Sequence, residues 1–390
     1  MFPTTNHGGK AMMKILETTI ATVLVLLALT QVAAAQGAPA VQDKPVIQLA
    51  ILLDTSNSMD GLINQAKSQI WKIVNELAAA KRGGKQPELH VALYEYGNDG
   101  LSAEKGHIRQ VLPLTRDLDK VSEMLFALTT NGGSEYCGQV IDVATRELAW
   151  SKNPKDLKVI VIAGNEPFDQ GTVDFRKSCK AAITAGVIIN TIHCGSDDEG
   201  QKGYWKDGAL LADGQYMFID SNQAVAHIDA PQDAEIAKLG GELNETYIPY
   251  GNVGMEASAR QAVQDSNAMS VAQGSSVNRA LFKASANYRN EAWDLVDAVR
   301  SNSVKLEEVK EAELPDEMQK LSPAERKAYL ADKEKKRGEI QEKIRKLDDE
   351  RKKFVAAKLK EQQNSGTETF DSAMIKALRK QAESRDFKFE

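Results

Sequence analysis

Val46-Ile47-Gln48-Leu49-Ala50-Ile51-Leu52-Leu53-Asp54-Thr55-Ser56-Asn57-Ser58 is the stretch that decides how this chain folds. Its first part is nearly all apolar and too short for a core helix. It therefore predicts a strand buried on both faces, as a parallel sheet requires. The pattern Asp-x-Ser-x-Ser follows directly. Leu62, Ala66, Ile70, Ile73, Val74 and Leu77 then fall on one face of a helix. One carboxylate and two hydroxyls are thus set on a tight turn between a buried strand and an amphipathic helix. Such an oxygen-rich cup suits a hard cation such as Mg²⁺, which takes oxygen ligands and keeps several waters.

Outward from this stretch, strand and helix patterns alternate. Leu89–Tyr96 and Ile108–Leu114 read as strands, and Val121, Leu125 and Leu128 mark the next helix. A helix is expected over Gly138–Trp150, and Leu157–Ala163 is a second nearly all-apolar strand. Phe175–Ala185 reads as a helix, Val187–Ile192 and Tyr216–Ile219 as strands, and Ile236–Leu243 as helical. This alternation predicts an α/β fold: a doubly wound, mostly parallel sheet covered on both faces. Ligands of such sheets bind at the carboxyl ends of the strands, at a switch point, where Asp54 stands.

The expected organisation is a signal peptide over residues 1–35, a linker over 36–45, the α/β domain over 46–245 and an α-helical tail over 246–390. Lys10 and Lys14 precede the apolar run Ile20–Leu29, and Ala33-Ala34-Ala35 offers a cleavage site. The rival reading is an uncleaved anchor, but the run is short for a membrane span. A soluble periplasmic or secreted mature protein is expected. The net charge of −6 argues against nucleic acid as the main partner. Cys137, Cys179 and Cys194 permit one disulfide with one thiol left over, or buried thiols; their spacing fits no zinc site. Residues 301–390 carry 22 Lys and Arg against 20 Asp and Glu, which predicts a solvated helical region. There Ile340, Ile344, Leu347 and Phe354 keep a helical seam that Lys333, Arg337 and Arg351 interrupt. A hairpin or a single stripe docked on the main domain is expected ahead of a long coiled coil.

Residues 46–222 resemble the von Willebrand factor type A domain, and Asp54-x-Ser56-x-Ser58 resembles the first segment of its metal-ion-dependent adhesion site, or MIDAS. The resemblance implies Mg²⁺, Mn²⁺ or Ca²⁺ at the top of the sheet and recognition of another protein through an acidic side chain of that partner. Its second segment supplies a Thr. Ser134, within Asn131-Gly132-Gly133-Ser134-Glu135-Tyr136-Cys137-Gly138, matches that position and keeps the hydroxyl. Glu135 and Tyr136 beside it are polar groups within reach of a metal or a ligand; the alternative for Glu135 is a helix cap or a solvated side chain. The third segment departs from the pattern. Gly164 stands where an Asp is expected, so Asn165 or Glu166 is the substitute oxygen ligand. Glu95, Asp99, Asp169 and Asp197 are expected around the same edge. Ala163–Phe168, Gly133–Cys137 and Tyr247–Gly251 also resemble segments of an exported bacterial group with this domain and a charged helical tail.

Enzyme signatures are missing from the sequence: no Gly-x-Ser-x-Gly elbow, no phosphate-binding loop with Lys, no His-Glu-x-x-His. His193-Cys194 is the one pair worth checking, and adjacent strand residues face opposite sides of a sheet. The reading is therefore a binding protein without turnover. A scaffold acting through its helical tail, with Trp293 as an anchor, is the alternative.

Overall fold

The strands are β1 (Val46–Asp54), β2 (Lys81–Arg82), β3 (Glu88–Tyr96), β4 (Ile108–Thr115), β5 (Leu157–Gly164), β6 (Ile188–Cys194), β7 (Tyr216–Ile219) and β8 (Phe387–Lys388). The helices used below are α1 (Ile63–Ala78), α2 (Leu118–Ala127), α3 (Cys137–Glu147), α4 (Phe175–Thr184), α5 (Asp197–Lys202), α6 (Trp205–Leu210), α7 (Asp233–Asn244), α8 (Gly254–Val271), α9 (Ser275–Lys283), α10 (Leu295–Arg300), α11 (Asp316–Gln319), α12 (Pro323–Gln363) and α13 (Phe370–Glu383). The computed structural model describes residues 44–219, 228–271, 274–363 and 370–389. The expected signal peptide, nearly all of the linker, and His227 lie outside the described residues.

Six strands form one sheet in the order β4-β3-β1-β5-β6-β7. Every pairing is parallel except β3 with β4. Chain connections leave β1 toward β3 and β5 toward β6, so the order reverses between β1 and β5. Asp54 and Gly164 end those two strands, placing both at the switch point where open α/β sheets form crevices.

The alternation of side chains along β1 divides the core into two layers. Ile47, Leu49, Ile51 and Leu53 enter one cluster with Ile70, Val74 and Leu77 of α1 and Val121 and Leu125 of α2. Ala50 and Leu52 enter the other, with Val140, Ile141 and Ala144 of α3 and Phe175 and Cys179 of α4. Burial on both faces is why β1 and β5 read as continuous apolar runs.

The helices after residue 233 extend the first layer. Ile236, Leu239 and Leu243 of α7, Phe282 of α9, and Met374 and Leu378 of α13 belong to the same cluster as β1. The last strand, β8, pairs antiparallel with β2, which ties residues 387–388 to 81–82. Residues 45–390 form one compact unit.

The long helix α12 is largely exposed and docks by a single stripe, as expected ahead of a long coiled coil. Ile344 is fully buried, with Ile340 and Leu347 packed beside it, and the seam faces this chain's own core. The charges that interrupt the seam are the docking contacts. Arg337 is 2 % exposed and donates to Asp294 at 2.6 Å, to Asp297 at 3.1 Å and to the Thr246 carbonyl at 2.7 Å. Arg351 meets Asp233 at 2.6 Å, and Lys333 donates to the Glu245 carbonyl at 2.6 Å.

Of the two alternatives for the cysteines, the structure shows buried thiols: Cys137, Cys179 and Cys194 are all free and buried. Burial pushes the Cys179 thiol up to about 12 and raises the other two as well. Among the described residues, no helix is long and apolar enough to cross a membrane.

Candidate metal centre

Asp54 is the floor of the site. It closes β1 with no solvent exposure. The backbone turns immediately, and Ser56 N–H donates to Asp54 Oδ1 at 2.8 Å. That bond holds the turn and satisfies one carboxylate oxygen. The other, Oδ2, is buried and has no hydrogen-bond partner. Burial, the largest influence, pushes the Asp54 carboxyl up to about 7; bonds from Ser56 oppose the rise, and the Glu135 charge adds to it. A carboxylate so placed is costly to ionise unless a cation reaches it.

The hydroxyls stand as the sequence placed them. Ser56 Oγ and Ser58 Oγ are 2.8 Å apart, and Ser58 Oγ donates to Asn165 Oδ1 at 2.9 Å. Asn165 returns a bond from Nδ2 to the Ser58 carbonyl at 3.3 Å. The turn after β1 is therefore tied to the loop after β5 by two side-chain contacts. Thr55 and Asn57 fasten the Gly-rich loop on the other side. Asn131 N–H donates to the Thr55 carbonyl at 3.0 Å, and Asn57 N–H to the Gly132 carbonyl at 2.8 Å. Ser134 lies in this loop, half-buried, just before α3.

Gly164 is glycine for a steric reason. A Cβ there would stand 2.5 Å from Tyr96 Oη and 2.9 Å from Asp54 Oδ2. Tyr96 is fully buried and donates to the Ala163 carbonyl at 3.1 Å. The phenol thus occupies the space a third acidic side chain would need.

The two substitutes separate. Asn165 is joined to Ser58 directly. Glu166 is half-buried and accepts from Gln170 at 3.3 Å, while its carbonyl receives the Trp205 indole N–H at 2.8 Å. Glu95 is buried against Arg109 at 2.5 Å, and Thr55 Oγ donates to it at 3.4 Å, so it supports the turn. Asp99 is exposed, 4.0 Å from His107 Nδ1. Asp169 is exposed and Asp197 opens α5.

Glu135 is the residue that sequence reasoning undervalued. It is 6 % exposed, so it is neither solvated nor a cap; α3 begins at Cys137 with Tyr136 as its uncapped flank. The signal was present as two separated glycines, Gly97 and Gly133, whose role only the fold shows.

A hard cation fits this donor set. Asp54 Oδ2 is an orphaned buried anion, and Ser56 Oγ, Ser58 Oγ and Asn165 Oδ1 are neutral hard oxygens bonded to one another beside it. Among the described residues, no three His, Cys, Asp or Glu side chains converge as metal ligands. An ion here would therefore be held in large part by hydroxyl and amide oxygens and by water.

The sequence comparison agrees with this geometry. Residues 48–204 form a von Willebrand factor type A domain. No curated protein sequence matches the chain. Among solved structures, the type A domain region is similar to the conserved hypothetical protein BatB from Bacteroides thetaiotaomicron, at 18 % identity and TM-score 0.35, over 45 % of this chain and 90 % of that one. It is similar to an aerotolerance-related membrane protein from Bacteroides fragilis at 18 % identity and TM-score 0.32, over 45 % and 93 %. It is also similar to proximal thread matrix protein 1 from the mussel byssus, solved with a zinc-occupied MIDAS motif, at 13 % identity and TM-score 0.34, over 46 % and 43 %.

The type A domain offers no nucleophile paired with a base at His193-Cys194. Cys194 enters the first core layer, whereas the His193 ring packs on Trp205 of the second, 5.7 Å between centroids.

Proposed function

We propose that this chain is an exported binding protein that recognises a protein partner through a divalent cation held at the Asp54 cup, without turnover. The observation that carries the reading is the buried, partnerless Asp54 Oδ2 beside three neutral oxygens at the sheet switch point. Asp54, Ser56, Ser58 and Ser134 are the proposed ligands, directly or through water, with Asn165 or Glu166 completing the shell. A cation held by few protein oxygens supplies open coordination positions, one of which an acidic side chain of the partner can fill. Export rests on the basic, apolar and Ala-rich succession within residues 1–35.

A second reading, binding through the helical region, draws on one observation. Met255, Val263 and Met269 of α8 are 73 %, 53 % and 76 % exposed on a helix whose other face packs inward.

The test of the first reading is crosslinking capture from a periplasmic extract with wild type and Asp54→Ala, in Mg²⁺ and in EDTA. A partner enriched only by wild type in Mg²⁺ supports it. Equal enrichment in all four arms contradicts it and moves attention to α8.

A further inference from the structure

Glu135 reaches the cup from a loop whose hydroxyl, not its acid, matches the family pattern. Two glycines record where its side chain goes. At Gly97 (φ +79°) a Cβ would lie 2.9 Å from both Asp54 Oδ1 and Glu135 Cγ. At Gly133 (φ +154°) a Cβ would collide with Glu135 Oε1 and lie 2.6 Å from Ser56 Cβ. The left-handed backbone at both positions favours glycine, and the absent side chains let one carboxylate lie along Asp54 and Ser56.

We propose that Glu135 is the second carboxylate of the cation site, filling the role that Gly164, lacking a side chain, cannot. This rests on the metal-dependent reading above. Three contrasts support it. First, Glu95 is similarly buried but is paired with Arg109, whereas the Glu135 side chain lies against Asp54 and Ser56. Second, Glu166 already accepts from Gln170, and its loop is held by Trp205. Third, the Tyr96 phenol fills the space beside Gly164 that a third acid would need, so a second carboxylate has to come from another loop, and Glu135 lies on the Oδ1 side of Asp54. Two buried carboxylates side by side are stable together when a divalent ion neutralises both. The ion is thus held by the chain's own charge before any partner arrives.

The experiment is a Mn²⁺ titration of the full mature chain, residues 36–390, read by the electron paramagnetic resonance signal of free Mn²⁺. Wild type, Glu135→Gln, Glu135→Asp and, as an exposed-carboxylate control, Asp169→Asn are compared, with folding checked by circular dichroism. The expected result is a Kd raised about tenfold or more in Glu135→Gln, since affinity at oxygen sites follows the charge of the ligands. Glu135→Asp falls between, and Asp169→Asn stays within about twofold of wild type. If Glu135→Gln does not fold, Glu135→Asp alone decides, by a weakened or an unchanged Kd. Unchanged binding in the Glu135 variants, or an equal loss in Asp169→Asn, overturns the assignment and leaves the metal reading standing. No binding by wild type overturns both.

Discussion

Replacing Asp54 by Asn tests the electrostatics of the cup from both directions. In the metal-free protein the Asp54 carboxyl is raised from 3.8 to about 7 by burial. Between those values the folded state holds a proton that the unfolded state has released. Its stabilising effect is complete below about pH 4 and is lost as pH rises through 7. A shift of about three units corresponds to roughly 4 kcal/mol. Asn is neutral throughout and escapes that loss. Metal-free Asp54→Asn therefore gains on wild type by up to about 4 kcal/mol between pH 4 and pH 8. At roughly 1–2 °C per kcal/mol for a unit of this size, the difference in Tm shifts by about 5 °C in favour of the variant. Saturating Mg²⁺ at pH 8 reverses the trend: wild type recovers roughly 3 kcal/mol at a hundred times Kd, and the variant does not respond. The assay is differential scanning calorimetry of both proteins at pH 4 and pH 8, with EDTA or Mg²⁺. A Tm difference independent of pH in EDTA would refute the reasoning, since it would mean that Asp54 is not carrying a buried-charge cost.

Three further outcomes are expected. Gly164→Ala forces a methyl against Tyr96 Oη and Asp54 Oδ2; it should cost about 1–3 kcal/mol in urea denaturation, and Tyr96→Phe should recover part of it. Arg337→Met leaves Asp294 and Asp297 buried without their guanidinium; the expected loss is about 3–5 kcal/mol, with proteolysis of α12 appearing first. Ellman's reagent should titrate none of the three thiols in the native protein and all three after denaturation, because each is free and buried. A disulfide would leave one reactive thiol in the denatured chain.

The sheet was legible because β1, β5 and β6 are buried on both faces, which forces apolar runs that no amphipathic helix produces. Asp54, Ser56 and Ser58 were legible because they are adjacent and follow such a run. Asn165 was one of two candidates, and only the contact with Ser58 distinguishes it from Glu166. For Glu135 the sequence left two readings, a metal or ligand contact and a cap or solvated side chain, because its burial depends on Gly97, which is remote in sequence, as well as on nearby Gly133. The docked stripe of the tail was legible in its apolar seam, but the role of the charges that interrupt it was not, for a related reason. A buried Arg looks like an interruption in a helical seam unless its carboxylates are known, and Asp294 and Asp297 lie about forty residues upstream of Arg337. The β2–β8 pairing carries two residues per strand, too few for a periodic signal, and a strand pattern such as that of β4 does not encode its direction.

The central claim is that the Asp54 cup holds a divalent ion. Calorimetric titration of residues 36–390 with Mg²⁺, beside Asp54→Ala, tests it most directly. The account predicts saturable one-site binding in wild type that disappears in a folded Asp54→Ala. No binding in wild type, or equal binding in both, would contradict it.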